Sequence, residues 1–161
     1  MRSARELKPA GQWHAAAIDR VVLSADDRHR RRVVLTAERG TRFLLDLSHA
    51  TQLRDGDGLV LDDGSIVCVS SGVEPLAEIE SRDALDFLRL AWHLGNRHAD
   101  VQILDKRLRI RCDHVLEEMV IGLGGLVTHT QAAFEPEISA PGRPGHQDPH
   151  SAAAASDAAH R

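Results

Sequence analysis

The sequence predicts an α+β fold: a small all-β region over residues 1–72, a β-α-β-β-α-β region over 73–138 and a disordered tail over 139–161. Three observations predict it. Short apolar runs broken by turn residues fill the first part of the chain, helical apolar spacing then appears twice among strand-like runs, and beyond Glu137 the large apolar residues all but vanish.

In the first region the runs are AIDRVVLS, RRVVLTA, RFLLDLS, GLVLDD and SIVCVSS, separated by ADDRH, ERGT, RDGDG and DDGS. Each has strand length and is rich in Val, Ile and Leu, and the Asp63-Gly64 pair suits a tight hairpin turn. Five or six strands at this spacing predict a barrel or sandwich.

After Gly72 the rhythm changes. EPLAEIES reads as a strand, and SRDALDFLRLAWHLG places Ala84, Phe87, Leu88, Ala91 and Leu94 at the spacing of an amphipathic helix, with Ser81 to cap its start and Gly95 its end. DVQILD and KRLRIRC read as two short strands turning at Asp105-Lys106. Asp113 then opens a second helix carrying Leu116, Met119, Val120 and Leu123 on one face and ending at Gly124-Gly125, before a last strand in LVTHTQAAFEP. This order is that of the ferredoxin-like arrangement, which hosts many functions, so function has to be read from a site. The remaining ISAPGRPGHQDPHSAAAASDAAHR, rich in Pro, Gly and Ala, buries too little apolar surface to offset its ordering entropy.

Composition narrows the function classes. The 161 residues are 42% hydrophobic, but only three Phe, two Trp and no Tyr are present, so a binding surface built from stacked aromatics is disfavoured. A net charge of -4 and a pI near 6.2 argue against a nucleic-acid or anionic-membrane binder. No run reaches membrane-span length and no secretory signal is visible, which points to a cytoplasmic protein. Cys68 and Cys112 make no CxxC and no disulfide framework; Cys68 reads as a small buried hydrophobe.

The ten histidines are the unusual feature. His14, His29, His49 and His129 are isolated and read as ordinary surface or core residues, and His93 as a solvated helix-end residue. His98 stands between a helix stop and a strand, a junction that holds its backbone. One imidazole cannot hold a metal, but a two-fold dimer brings two copies of the same residue to its axis. Paired His98 side chains, completed by His146, His150 or His160 from the tail, would make an all-nitrogen, exchangeable site suited to borderline ions such as Ni²⁺. Cys112-Asp113-His114 offers S, O and N donors at a helix N-terminus, where the macrodipole lowers a thiol pKa; the simpler reading makes Asp113 the N-cap and Cys112 a strand end. The run RHRRR, Arg28 to Arg32, reads as a solvated strand entry offset by Asp26 and Asp27.

LAWHLGNRHADVQI and CDHVLEEMVIGLG, with looser support from LRDGDGLVLDDGSIVCV and EPLAEI, resemble the urease accessory protein E (UreE) family of nickel metallochaperones along nearly the whole chain. The resemblance implies a peptide-binding-like β domain over 1–72 and a ferredoxin-like metal-binding domain over 73–138 that forms a head-to-head homodimer. It implies that His98 is the interfacial nickel ligand and that His146, His150 and His160 are tail ligands. It also implies delivery of Ni²⁺, without catalysis, to the GTPase of the urease maturation complex, with Zn²⁺ or Cu²⁺ as competitors. The sequence departs from the family in lacking a long histidine-rich terminus and in carrying Cys112 where some members have histidine, so Cys112 and His114 are expected as a peripheral second site.

Two other readings rank lower. A ferredoxin-like regulatory or RNA-binding module lacks stacking aromatics and positive charge. A metal-dependent hydrolase using His98, or His114 with Asp113, lacks HExxH and G-x-S-x-G signatures.

Overall fold

The computed structural model describes residues 1–137, which form ten strands and two helices. His146, His150, His160 and the expected tail lie outside the described residues.

Strands β1 (Arg2–Lys8), β2 (Asp19–Leu23), β3 (His29–Thr36), β4 (Arg42–Gln52), β5 (Gly58–Leu61) and β6 (Ile66–Ser71) form one sheet in the order β2-β6-β5-β1-β4-β3. Five of the six follow the apolar runs read from the sequence. β1 was not expected, because RSARELK is mostly charged or polar; Ala4 alone is fully buried there, yet the strand sits inside the sheet, parallel to β4 and antiparallel to β5. Backbone pairing on both edges, not its own apolar content, makes this segment a strand. The Asp63-Gly64 turn behaves as expected, with Gly64 at φ 82° and the Gly64 N–H donating to the Leu61 carbonyl at 2.9 Å.

The sheet curls so that its edges meet at Asp19 on β2. Its buried carboxylate accepts from the N–H groups of Arg39 at 3.0 Å and Thr41 at 3.1 Å in the β3–β4 turn. Burial pushes this carboxyl up, but hydrogen bonds from Thr41, Arg39 and Arg20 outweigh it and hold the group well below the usual carboxylate range. Inside the curl, Val21, Phe43, Leu45, Leu53, Leu59 and Val67 form the core. Cys68, expected as a buried hydrophobe, is half-buried instead.

The second sheet joins β7 (Val73–Glu80), β8 (Gln102–Ile103), β9 (Leu108–Arg111) and β10 (Leu126–Ala133) in the order β10-β7-β9-β8, every neighbour antiparallel. Helix α1 (Ala84–Asn96) links β7 to β8, and α2 (His114–Gly122) links β9 to β10, giving the β-α-β-β-α-β order. Leu90 and Leu94 of α1 and Val120 of α2 pack on Ala77, Ile79, Leu108 and Ile110. The chain is therefore a mixed α+β protein in which strands predominate.

One basic residue departs from its expected setting. Arg28, read as part of a solvated run, is completely buried between the sheets, where its guanidinium donates to the Leu53 carbonyl at 3.3 Å, to Glu135 Oε1 at 2.7 Å and to the Phe134 carbonyl. The burial is offset at the two terminal nitrogens, which meet carbonyls and a carboxylate, while Arg28 Nε is buried without a hydrogen-bond partner. Arg30, Arg31 and Arg32 are exposed as expected.

Candidate metal centre

His98 is placed by the end of α1. The helix starts at Asp83, not Ser81: Asp83 Oδ1 accepts from the Asp86 N–H at 2.8 Å. Gly95, expected as the stop, lies inside the last turn. The helix closes as a Schellman motif, in which the His98 N–H donates to the Gly95 carbonyl at 3.0 Å and the Ala99 N–H to the Leu94 carbonyl at 3.1 Å. Ala99 packs in the same apolar cluster as Leu94, which fixes the loop from below.

This motif puts His98 at φ 57°, among the described residues the one non-glycine residue in left-handed backbone. The other helix closes the same way but has Gly124, φ 86°, at the equivalent position. An L-residue there costs about 1–2 kcal/mol relative to right-handed backbone, so α1 ends with an imidazole where glycine is conformationally favoured. The His98 side chain is exposed.

Two features belong to the elements on either side of this loop. Leu85, Leu88 and Trp92 follow one another at i, i+3, i+7 on α1, and each is more than half exposed. Trp92 meets His93 edge to face with ring centroids 5.1 Å apart, and His93 is half-buried, not solvated as expected. On the other side, the chain leaving β10 returns to the start of β8: the Glu137 N–H donates to the Val101 carbonyl at 2.8 Å, and the Glu135 N–H to Gln102 Oε1 at 3.2 Å. The residues that precede the tail are thus pinned three positions along the chain from His98.

The Cys112-Asp113-His114 triplet does not converge. Asp113 is the N-cap of α2, its Oδ1 accepting from the Leu116 N–H at 3.0 Å. His114 is 86% exposed and pairs with Glu118 at 3.1 Å along the helix surface. Cys112 instead faces Glu117 and His129, and the donor atoms of these three residues lie within 4.8 Å of one another. The expected lowering of the thiol pKa is reversed: partial desolvation, and then the Glu117 carboxylate, push the Cys112 thiol up. A metal there has to displace a firmly held proton.

Glu117 and His129 were not singled out from the sequence. Two signals existed: Glu117 falls in the first turn behind the Asp113 cap, and His129 alternates with the core residue Val127 on β10, which puts it on the helix-bearing face. Arg111, next to Cys112, bridges to Asp100 at 2.9 Å and so ties this end of β9 to the His98 loop.

Comparison with known proteins adds the family. The model for the UreE urease accessory protein N-terminal domain matches residues 3–71 and that for the C-terminal domain residues 74–161. The chain is similar to the urease accessory protein UreE of Bradyrhizobium sp. (strain BTAi1 / ATCC BAA-1182), 54% identical over 86% of this chain and 68% of the relative. It is similar to that of Rhodopseudomonas palustris (strain HaA2), 56% identical over 83% of this chain and 63% of the relative. With that of Rhodobacter capsulatus it is 44% identical over 88% of each. The chain spans about two thirds of the length of the Bradyrhizobium and Rhodopseudomonas relatives.

Proposed function

The chain belongs to the UreE urease accessory protein family, and from that premise we propose that it is a non-enzymatic nickel carrier for urease maturation. In this reading a homodimer holds Ni²⁺ between two His98 side chains, completes the sphere with His146, His150 or His160, and passes the ion to the accessory GTPase in the cytoplasm. Residues 1–72 form a peptide-binding-like domain and 73–138 a ferredoxin-like metal-binding domain. The sheet order β10-β7-β9-β8 with antiparallel neighbours supports the second assignment. No described helix is long and apolar enough to cross a membrane.

The observation that carries the reading is the surroundings of His98. Its imidazole sits on the strained end of a helix that carries an apolar stripe, Leu85, Leu88 and Trp92, which a second copy would cover. A two-fold axis near the end of that stripe brings the two imidazoles together. The chain exit at Glu137 lies near the same loop, and His146 is nine residues further on, a span of at most about 30 Å when extended. Tail ligands on such a tether exchange one at a time, which suits handover more than storage. The neutral imidazole donors are borderline-soft and match Ni²⁺, while Zn²⁺ and Cu²⁺ compete for the same set.

Truncation after Pro141 tests the division of labour. Sedimentation should show the dimer intact while nickel binding weakens or its coordination spectrum changes. A truncated chain that is monomeric, or that binds nickel identically, contradicts the layout.

A further inference from the structure

We propose that Cys112, Glu117 and His129 form a second divalent-cation site, of Zn²⁺ type, that is separate from His98 and does not use His114. It goes beyond the nickel reading and stands independently of it.

The site is assembled by three elements. Cys112 directly follows β9, Glu117 lies in the first turn of α2, and His129 reaches from β10 to Glu117 of α2. Their sulfur, oxygen and nitrogen donors are all within 4.8 Å of one another, and His129 Nε2 already meets Glu117 Oε2 at 2.6 Å. In a tetrahedral zinc sphere, donors at about 2.0–2.3 Å from the ion stand roughly 3.3–3.7 Å apart. The observed cluster reaches that geometry by shifts of about 1 Å, within the freedom of side-chain rotation.

Glu117 is preorganised. One carboxylate oxygen, Oε1, accepts from the Asp113 N–H at 3.1 Å, which leaves Oε2 directed at His129, and the side chain is only 15% exposed. Metal-bound carboxylates are commonly fixed from behind in this way. His129 is 66% exposed, and Cys112 is exposed, so an ion has an open path and a water can take the fourth position.

The donor set decides the ion. One thiolate and one carboxylate neutralise a divalent charge, and a thiolate with an imidazole favours Zn²⁺ over the all-nitrogen preference assigned to His98. Binding releases the thiol proton, so it strengthens as pH rises. An ion here also links the start of α2 to β10, and by mass action it stabilises the fold.

Co²⁺ is the probe, because a tetrahedral thiolate site gives it visible d–d bands and a sulfur-to-metal charge-transfer band. Titration of the full chain with Co²⁺ should give these bands in wild type, His98→Ala and His114→Ala, with Zn²⁺ bleaching them. They should vanish in Cys112→Ser and His129→Ala. Glu117→Gln keeps an acceptor for the Asp113 N–H, so circular dichroism should show an unchanged fold while the bands weaken or vanish. Absence of the bands in wild type, their survival in His129→Ala, or their loss in His114→Ala would overturn the proposal. Because the His98→Ala arm reads these bands with the first site removed, failure of one reading leaves the other measurable.

Discussion

Replacing His98 with glycine should make the protein more stable and unable to carry nickel, a combination that follows from the geometry of one residue. His98 sits at φ 57°, where an L-residue costs about 1–2 kcal/mol and glycine very little. Glycine also adds about 0.4–1 kcal/mol of unfolded-chain entropy, so the net gain is about 0.5–1 kcal/mol. The exposed imidazole packs against little that the substitution would lose. For a chain of this size that gain raises Tm by about 1–4 °C. His98→Ala keeps a Cβ in the same backbone and should leave Tm nearly unchanged. Thermal melts of the metal-free proteins, read by circular dichroism, separate the two variants. A His98→Gly protein that melts below wild type would refute the strain argument and mean that the imidazole anchors the loop.

Two further predictions concern the scaffold. Arg28→Ala removes a buried guanidinium and leaves the Leu53 and Phe134 carbonyls without that donor, so urea unfolding should show a loss of about 2–4 kcal/mol; a loss under 1 kcal/mol would mean that Arg28 does not clamp the sheets. Acid should also destabilise the fold. The Ser65 hydroxyl, the Ser65 N–H and Arg2 hold Asp63 down at about 2, and hydrogen bonds from Arg109 and Arg107 hold Glu78 low against its partial burial. Carboxyls depressed in the folded state contribute stability above their unfolded values of about 4, and that contribution is lost as pH falls through the folded values. Tm should be flat from about pH 7 to 5 and drop below about pH 4; a Tm unchanged down to pH 3 would contradict this.

The elements most legible in the sequence were those whose side chains decide their structure. α1, α2, β7 and β10 have apolar spacing that matches the core they share, and Asp113 had both the right type and the right place for a cap. β1 was hidden because its neighbours, not its composition, make it a strand. Arg28 was hidden because burial of a charge depends on acceptors at Leu53, Phe134 and Glu135, distant in sequence. His98 stood out as a loop histidine, but its left-handed backbone emerges only from the helix closure. Likewise, Cys112 was read beside His114, its neighbour in sequence, whereas the pairing of β10 with β7 carries His129 to it from another element.

Calorimetric titration of Ni²⁺ into the wild-type full chain and into His98→Ala tests whether His98 holds the ion. Wild type should bind nickel with high affinity, shared between two chains, and the variant should lose that binding while its fold is retained. Unchanged stoichiometry and affinity in His98→Ala would contradict that role for His98.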